Sequence, residues 1–372
     1  MASIPWRWVD SAEDCQAFLD ANSGADCWAV DTEFMRTDTY YPKPALIQLC
    51  AGSEIALIDP VAFSNGEAFN GEASQALAAL LADPDVTKLM HSVSEDYEVF
   101  RRFPGVIPQQ VLDTQLGAGL AGLAAAPGYQ NLVEQLLGIH VPKGETRSNW
   151  LQRPLSEAQC EYAALDVLYL APLQRALSER LSELGRLDWW LEDSRLAAEV
   201  AARDSVEQSF ERCKGAARLN ARQQGALKAL CEWREREAIK RNIPRTWVLK
   251  DGQCVDIAKR LVSSLSALSD IRDIKGRFLN QYGKTVIELV AESEVLPDAQ
   301  CQWEPTGDIK TCLKQWQQWV RQRAEAIGIE PEVLARKKDL EALLAHREKG
   351  AALPLKLQGW RRQELVEPLL AL

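Results

Sequence analysis

The stretch WAVDTEF, Trp28 to Phe34, decides the reading of this chain. Its apolar and β-prone residues spell a core strand, yet two acids sit inside it. Strand side chains alternate between faces, so Asp31 and Glu33 point the same way. Two carboxylates brought together repel each other and lose hydration. Taken alone, the pair reads either as an acidic strand face turned to water or as two hard oxygen ligands for Mg2+ or Mn2+, which would turn repulsion into attraction.

Working outward, residues 27–60 hold three strand-like runs, CWAVDTEF, ALIQLCA and IALID, spaced as an antiparallel meander. SQALAALLAD predicts a helix closed by Asp-Pro, VTKLMHS a strand and SEDYEVFRRF a helix. Ser92 or Ser94 would cap that helix, with Asp96 in its first turn. VIPQQVLDTQ predicts a further strand, with Asp113 near its end as the cap of the next helix. EYAALDVLYL predicts a helix that puts Tyr162 and Asp166 one turn apart on one face. Strands mixed with helices make residues 1–205 an α/β domain.

Beyond residue 200 no strand run is evident and helical spacing dominates, as at Leu227, Leu230, Trp233 and Ile239. A diffuse repeat appears. LKALCEW (227–233) parallels LKQWQQW (313–319), and ten residues past each closing Trp come Ile243-Pro244 and Ile329-Glu330-Pro331. Two small all-α domains are expected at 215–294 and 305–372, joined near ESEVLPDAQCQWEPTGD.

The charge is divided in the same way. The net charge is −10, but residues 1–200 hold 13 basic against 29 acidic side chains (−16) and residues 201–372 hold 30 against 24 (+6). The C-terminal half can hold a polyanion on which the acidic half works. Nine scattered cysteines without a CxxC read as free thiols of a reducing compartment. Three distant histidines disfavour a His-based zinc hydrolase. No apolar run approaches the ~20 residues that span a bilayer, and no secretory signal core is evident, so a cytoplasmic protein without membrane association is expected.

The ordered set of acids is more specific than any one of them. An acidic pair on a first strand, an Asp early in a middle helix and a Tyr-x-x-x-Asp on a late helix resemble the DEDD superfamily of 3′→5′ exonucleases, in its tyrosine subgroup. VDTEF, ALIQL, HSVSEDYEVF, VLDTQ, KGETRSNWLQRPL and EYAALDVLYL, in that order, are similar to the ribonuclease D family. The paired helical segments resemble tandem helicase-and-RNase-D C-terminal (HRDC) domains.

The resemblance implies a ribonuclease H-like mixed-sheet exonuclease domain followed by two all-α nucleic-acid-binding domains. It implies that Asp31, Glu33, Asp96 and Asp166 hold two divalent ions, Mg2+ or Mn2+, and that Tyr162 positions the attacking water. Glu95 and Asp113 are the neighbours that could be mistaken for the third acid. The implied activity is release of nucleoside 5′-monophosphates from RNA 3′ ends by a monomer, with tRNA precursors and other structured RNAs as substrates. Gln48, His91, Lys143, Arg147 and Trp150 are candidate substrate contacts. Lys240, Arg241, Arg245, Lys337, Lys338, Arg361 and Arg362 are candidate phosphate contacts, whereas Trp189, Trp233 and Trp319 read as core. The same acids would serve a DNA exonuclease. A silent exonuclease fold acting as a nucleic-acid adaptor is the reading from another class, against which the intact acid set argues.

Overall fold

In the computed structural model the described residues are 4–64, 72–142, 144, 145, 148–203, 206, 207 and 209–372. The chain divides into two compact units. Met1–Arg36, Tyr41–Ala202 and Val320–Leu334 make one, and Thr37–Tyr40, Arg203–Trp319 and Ala335–Leu372 make the other.

The first unit is built on a six-stranded mixed sheet, with strands β1 (Arg7–Val9), β2 (Cys27–Met35), β3 (Lys43–Ala51), β4 (Glu54–Ile58), β5 (Thr87–Met90) and β6 (Val111–Asp113) in the order β1-β4-β3-β2-β5-β6. β2, β3 and β4 form the expected antiparallel meander, and β5 and β6 add in parallel on the far side of β2. The three-residue β1, paired in parallel with β4, was not foreseen, because so short an edge strand carries no readable period. Its helices are α1 (Ala12–Ala21), α2 (Pro60–Ser64), α3 (Glu72–Ala82), α4 (Asp96–Arg102), α5 (Thr114–Leu120), α6 (Tyr129–Leu137), α7 (Glu157–Leu168), α8 (Leu170–Glu183) and α9 (Leu187–Ala202).

Alternation along β2 divides the sheet into two faces. Trp28 and Val30, with Ile47 and Leu49 across from Thr32 and Val30 on β3, join Phe18, Leu77, Leu81, Tyr97 and Phe100 in one apolar core. Asp31 and Glu33 leave β2 on the other face, toward α7, which packs on β2, β3 and β4. Asp31 lies directly across from Gln48, and a bulge follows Glu33.

The segment leading into α7 is clasped to the sheet by one guanidinium. Arg153 donates from Nε and Nη2 to the two oxygens of Asp59 at 2.7 and 2.5 Å. It also donates to the carbonyls of Ala45 (2.6 Å) and Trp150 (2.8 Å).

In the second unit α10 (Ala221–Arg241), α11 (Arg245–Val248), α12 (Asp251–Arg260), α13 (Leu265–Ser269) and α14 (Gly276–Glu292) enclose a core that includes Leu227, Leu230, Cys254, Ile257, Leu268, Val286 and Val290. Gly225 is required there, because a Cβ would come within 1.8 Å of the Glu294 carbonyl oxygen. Further along the chain α15 (Gly307–Ile327), α16 (Pro331–Leu334) and α17 (Lys337–Lys349) have the long–short–medium lengths of α10 to α12, with Val320–Leu334 in the first unit, and α18 (Glu367–Leu370) follows. Among the described residues no strand follows β6, and no helix is long and apolar enough to cross a membrane.

The Asp59–Arg153 clasp sets a stability test. Arg153→Ala leaves a buried carboxylate without its counter-charge, which costs about 3 kcal/mol or more. A fall of that size in urea unfolding, at unchanged slope on denaturant, is expected, and Arg153→Lys should recover only part of it because an ammonium cannot reproduce the fork.

Candidate active site

Each acid of the candidate set is placed by a different local device. Asp31 and Glu33 share a face because β2 is extended. Asp96 is the first residue of α4 and is buried, while the neighbouring Glu95 is exposed. The expected serine cap is not made. Glu95 occupies the N-cap without a side-chain bond, and Ser92 takes a positive φ of 62°. Asp113 holds this turn instead. Its carboxylate accepts the backbone N–H groups of Ser92 (2.9 Å) and Val93 (3.1 Å) as well as that of Gln115 (2.8 Å), so the cap of α5 also fixes the approach to α4. Thr32, between the two acids of β2 in sequence, donates its hydroxyl to Asp96.

α7 starts with a capping box between Ser156 and Gln159 and carries Tyr162 and Asp166 one turn apart, with the phenol hydrogen-bonded to the Asp166 carboxylate. The end of α7 is tied by Tyr129, whose hydroxyl donates to the Leu165 carbonyl at 2.7 Å and accepts from the Tyr169 N–H at 3.2 Å. The His91 ring meets Tyr129 edge-on. Burial holds His91 below its ordinary pKa, and the neutral ring donates from Nε2 to the Pro127 carbonyl (3.0 Å) while Nδ1 faces the Thr114 hydroxyl (2.9 Å). Both ring nitrogens of His91 are therefore engaged inside the protein.

The electrostatics are those of like charges forced together. Burial, then Asp96, Asp166 and Glu33, hold Asp31 well above the carboxylate range. Burial and the same neighbouring acids, Asp166 and Asp96, push Glu33 up to about 9. Asp96 and Asp166 rise to about 7, chiefly through burial, each partly relieved by its hydrogen bond from Thr32 or Tyr162. Burial and Asp166 raise the Tyr162 phenol as well. Asp31, Glu33, Asp166 and Tyr162 nevertheless keep an open side to solvent. A carboxylate ringed by protein yet reachable from outside is what a cation site requires.

The donor set fits a hard divalent cation, being all carboxylate oxygen. Among the described residues no three or more His, Cys, Asp or Glu side chains are poised as a ready cage. Gln48, across from Asp31, is completely buried, and neither atom of its amide has a hydrogen-bond partner. A buried amide without partners costs about 1–3 kcal/mol, so a polar neighbour is missing on this face.

Other candidates fall differently. Trp150 is buried, with its ring 6.1 Å from that of Tyr162. Lys143 and Arg147 lie outside the described residues. Gly144, beside Lys143, approaches Tyr162 so closely that a Cβ would lie 2.8 Å from the ring Cδ2. In the second unit Arg361 is buried and lies over the Trp360 ring at 4.1 Å, and Arg245 faces Glu235 at 3.6 Å. Thr32, Tyr129 and the wider role of Asp113 were not legible as site residues. Only the Asp at a strand end gave a signal.

The fold is that of a 3′–5′ exonuclease: that family matches residues 6–182, and the HRDC domain matches residues 223–290. Ribonuclease D of Pseudomonas paraeruginosa is 41% identical over 351 residues, covering 92% of this chain and 90% of that one. Ribonuclease D of Escherichia coli is 33% identical over 92% of this chain and 91% of its own length. The crystal structure of Escherichia coli RNase D, described as an exoribonuclease involved in structured RNA processing, superposes with a TM-score of 0.84 at 30% identity, covering 99% of this chain and 98% of that one. The chain belongs to the ribonuclease D family of 3′–5′ exoribonucleases.

Two tests follow from this geometry. Gly144→Ala pushes a methyl group against the Tyr162 ring; turnover should fall about tenfold or more with little change in KM, since a displacement of ~1 Å in a positioned group can cost ~100-fold. The second is pH-linked. Acids whose pKa is raised on folding bind more protons folded than unfolded, so in the ion-free protein they remove stability as pH climbs from the unfolded values, near 4, to the folded values of about 7 to 9. Divalent cation must displace those protons. The upward shift in melting temperature given by Mn2+ should therefore be larger at pH 8.5 than at pH 5.5, and Asp31→Asn should flatten that difference.

Proposed function

We propose that the chain hydrolyses RNA from its 3′ end, one nucleotide at a time, with two divalent cations, Mg2+ or Mn2+, held by Asp31, Glu33, Asp96 and Asp166. The observation that carries this is the convergence of Asp31, Glu33, Asp96 and Asp166: burial and the neighbouring acids raise Asp31 and Glu33, and all but the buried Asp96 keep a side open to solvent. When bound, the ions supply charge neutralisation at the scissile phosphate and acidify the attacking water. Asp31 faces the other three acids electrostatically and would help to hold both ions, with Glu33 and Asp166 holding one and Asp96 the other. The raised pKa of Tyr162 keeps its phenol protonated, so it orients the water through a hydrogen bond and does not take its proton. The water oxygen forms a bond to phosphorus in line with the leaving group and the bond from phosphorus to the 3′ oxygen breaks. The attacking water gives up a proton to solvent, the 3′ oxygen takes one up from solvent, and a nucleoside 5′-monophosphate departs.

Gln48 is assigned to the terminal nucleotide or to Asp31, whichever satisfies its amide, and Lys143 and Arg147 to backbone phosphates. His91 and Trp150, enclosed by protein, are assigned to holding Tyr129 and Tyr162. Residues 1–205 are read as the exonuclease domain, with 215–294 and 305–372 as two HRDC-type domains that add affinity for RNA. The substrates are read as tRNA precursors and other structured RNAs with single-stranded 3′ ends, met by a monomer in the cytoplasm.

A 5′-labelled RNA with a hairpin and a single-stranded 3′ tail tests the reading, beside the matching DNA. A metal-dependent ladder that shortens from the 3′ end and stops near the hairpin is expected, abolished by EDTA. Asp31→Ala should lower the rate at least ~1,000-fold and Tyr162→Phe about 100-fold. An RNA that shifts in a gel but stays intact would reduce the chain to a binding protein. A stronger ladder on DNA would make it a DNA exonuclease.

A further inference from the structure

The second unit carries a groove of about 590 Å3 between the end of α10, α11 and the start of α14. That volume lies in the range of clefts that hold a small ligand, ~300–1,000 Å3. Its walls combine two features that the core does not need. One is Trp247, on α11, which is 63% exposed, although the other tryptophans of this unit are buried or half-buried. An indole left in water forgoes the burial that otherwise favours it, so its exposure calls for a partner. The other is charge. Arg241, Lys250, Lys275 and Arg277 line the groove, and Asp273 is the one acid among the lining residues.

These cations differ in how they are engaged. Arg241 donates to the Tyr282 hydroxyl at 2.8 Å, and Lys250 pairs with Asp273 at 3.3 Å across an exposed surface, where such a pair contributes little. Lys275 and Arg277 are exposed and meet no internal acceptor among the described residues. They flank the first residue of α14, a 17-residue helix whose N-terminus has no side-chain cap. The unsatisfied N–H groups there favour an anion beside the same two cations.

A flat aromatic face next to a row of cations is how single-stranded nucleic acid is held without sequence preference, with the base on the ring and the backbone on the charges. An acidic peptide would satisfy the cations and leave the indole uncovered. We infer that this groove is a single-strand RNA subsite in which an unpaired base stacks on Trp247 and its neighbouring phosphates lie on Lys275 and Arg277. The inference rests on the RNA reading above and names where in the first helical segment the strand is gripped.

Fluorescence anisotropy of the full chain with a short 5′-fluorescein oligouridylate, in EDTA so that the probe survives, tests it. Trp247→Ala should weaken binding about tenfold, the loss of one stacked base, and Trp247→Phe should recover much of it. Lys275→Ala and Arg277→Ala should each weaken binding and lower the slope of log affinity against log salt by about 0.7, one phosphate contact of a single strand, whereas Trp247→Ala should leave that slope unchanged. Annealing the probe to its complement should remove the effect of Trp247→Ala, since a paired base cannot leave its stack. Thermal melts of each variant exclude unfolding, to which exposed side chains contribute little.

Wild-type affinity in Trp247→Ala would overturn the subsite. So would an equal loss on single-stranded and duplex RNA, or displacement of an acidic peptide without any change in RNA binding. The two readings separate cleanly. If metal-dependent 3′ trimming is intact while Trp247→Ala binds RNA normally, the groove assignment fails alone. If the wild-type chain neither trims nor binds RNA, the functional reading fails with it.

Discussion

Crowding of like charge is the constraint on which the first unit depends. Four carboxylates gather where burial opposes their ionisation, and repulsion from the neighbouring acids adds to it at Asp31 and Glu33. Left to side-chain freedom, they would turn away from one another. The fold prevents this by giving the acids fixed origins and donors. Asp31 and Glu33 cannot part without breaking β2 from β3. Asp96 is held by Thr32 and by a turn that Asp113 fastens, and Asp166 by Tyr162 and by the tie of Tyr129 on α7. The apolar core on the opposite face supplies the rigidity that makes these positions costly to leave.

How far the sequence carried this can be judged element by element. The meander, the strands β5 and β6 and the helices of Asp96 and Tyr162 were legible because period and turn residues agree there. The acids were legible because an apolar strand with two of them violates the local pattern, and such violations gather at functional sites. β1 was not legible, since three residues carry no period. The capping of α4 was misread because Ser92 and Ser94 look like caps locally, whereas the carboxylate that holds the turn lies about twenty positions on, a relation that only β5–β6 pairing creates. His91 stands in sequence as a candidate substrate contact, and its enclosure by Thr114 and Pro127 is tertiary.

The second unit illustrates the complementary limit. Its helices show in apolar spacing, and its net basicity shows in composition. Which tryptophan is core and which faces water does not show. Trp233 and Trp247 sit in similarly mixed surroundings in sequence, yet one packs on the core and the other stands at the mouth of a groove. α11, four residues long, turns Val248 inward and leaves the adjacent Trp247 facing water.

The approach of Gly144 to Tyr162 has a dynamic consequence. The ring is approached by the backbone of Gly144 and by the buried indole of Trp150, and its hydroxyl is tethered to Asp166. Half-turns of the ring about its long axis require both neighbours to give way, so they are slow compared with those of an exposed tyrosine. The direction of the phenol is thus settled when the chain folds and not when a nucleotide arrives. A glycine with no side chain of its own limits how the tyrosine beside it can turn.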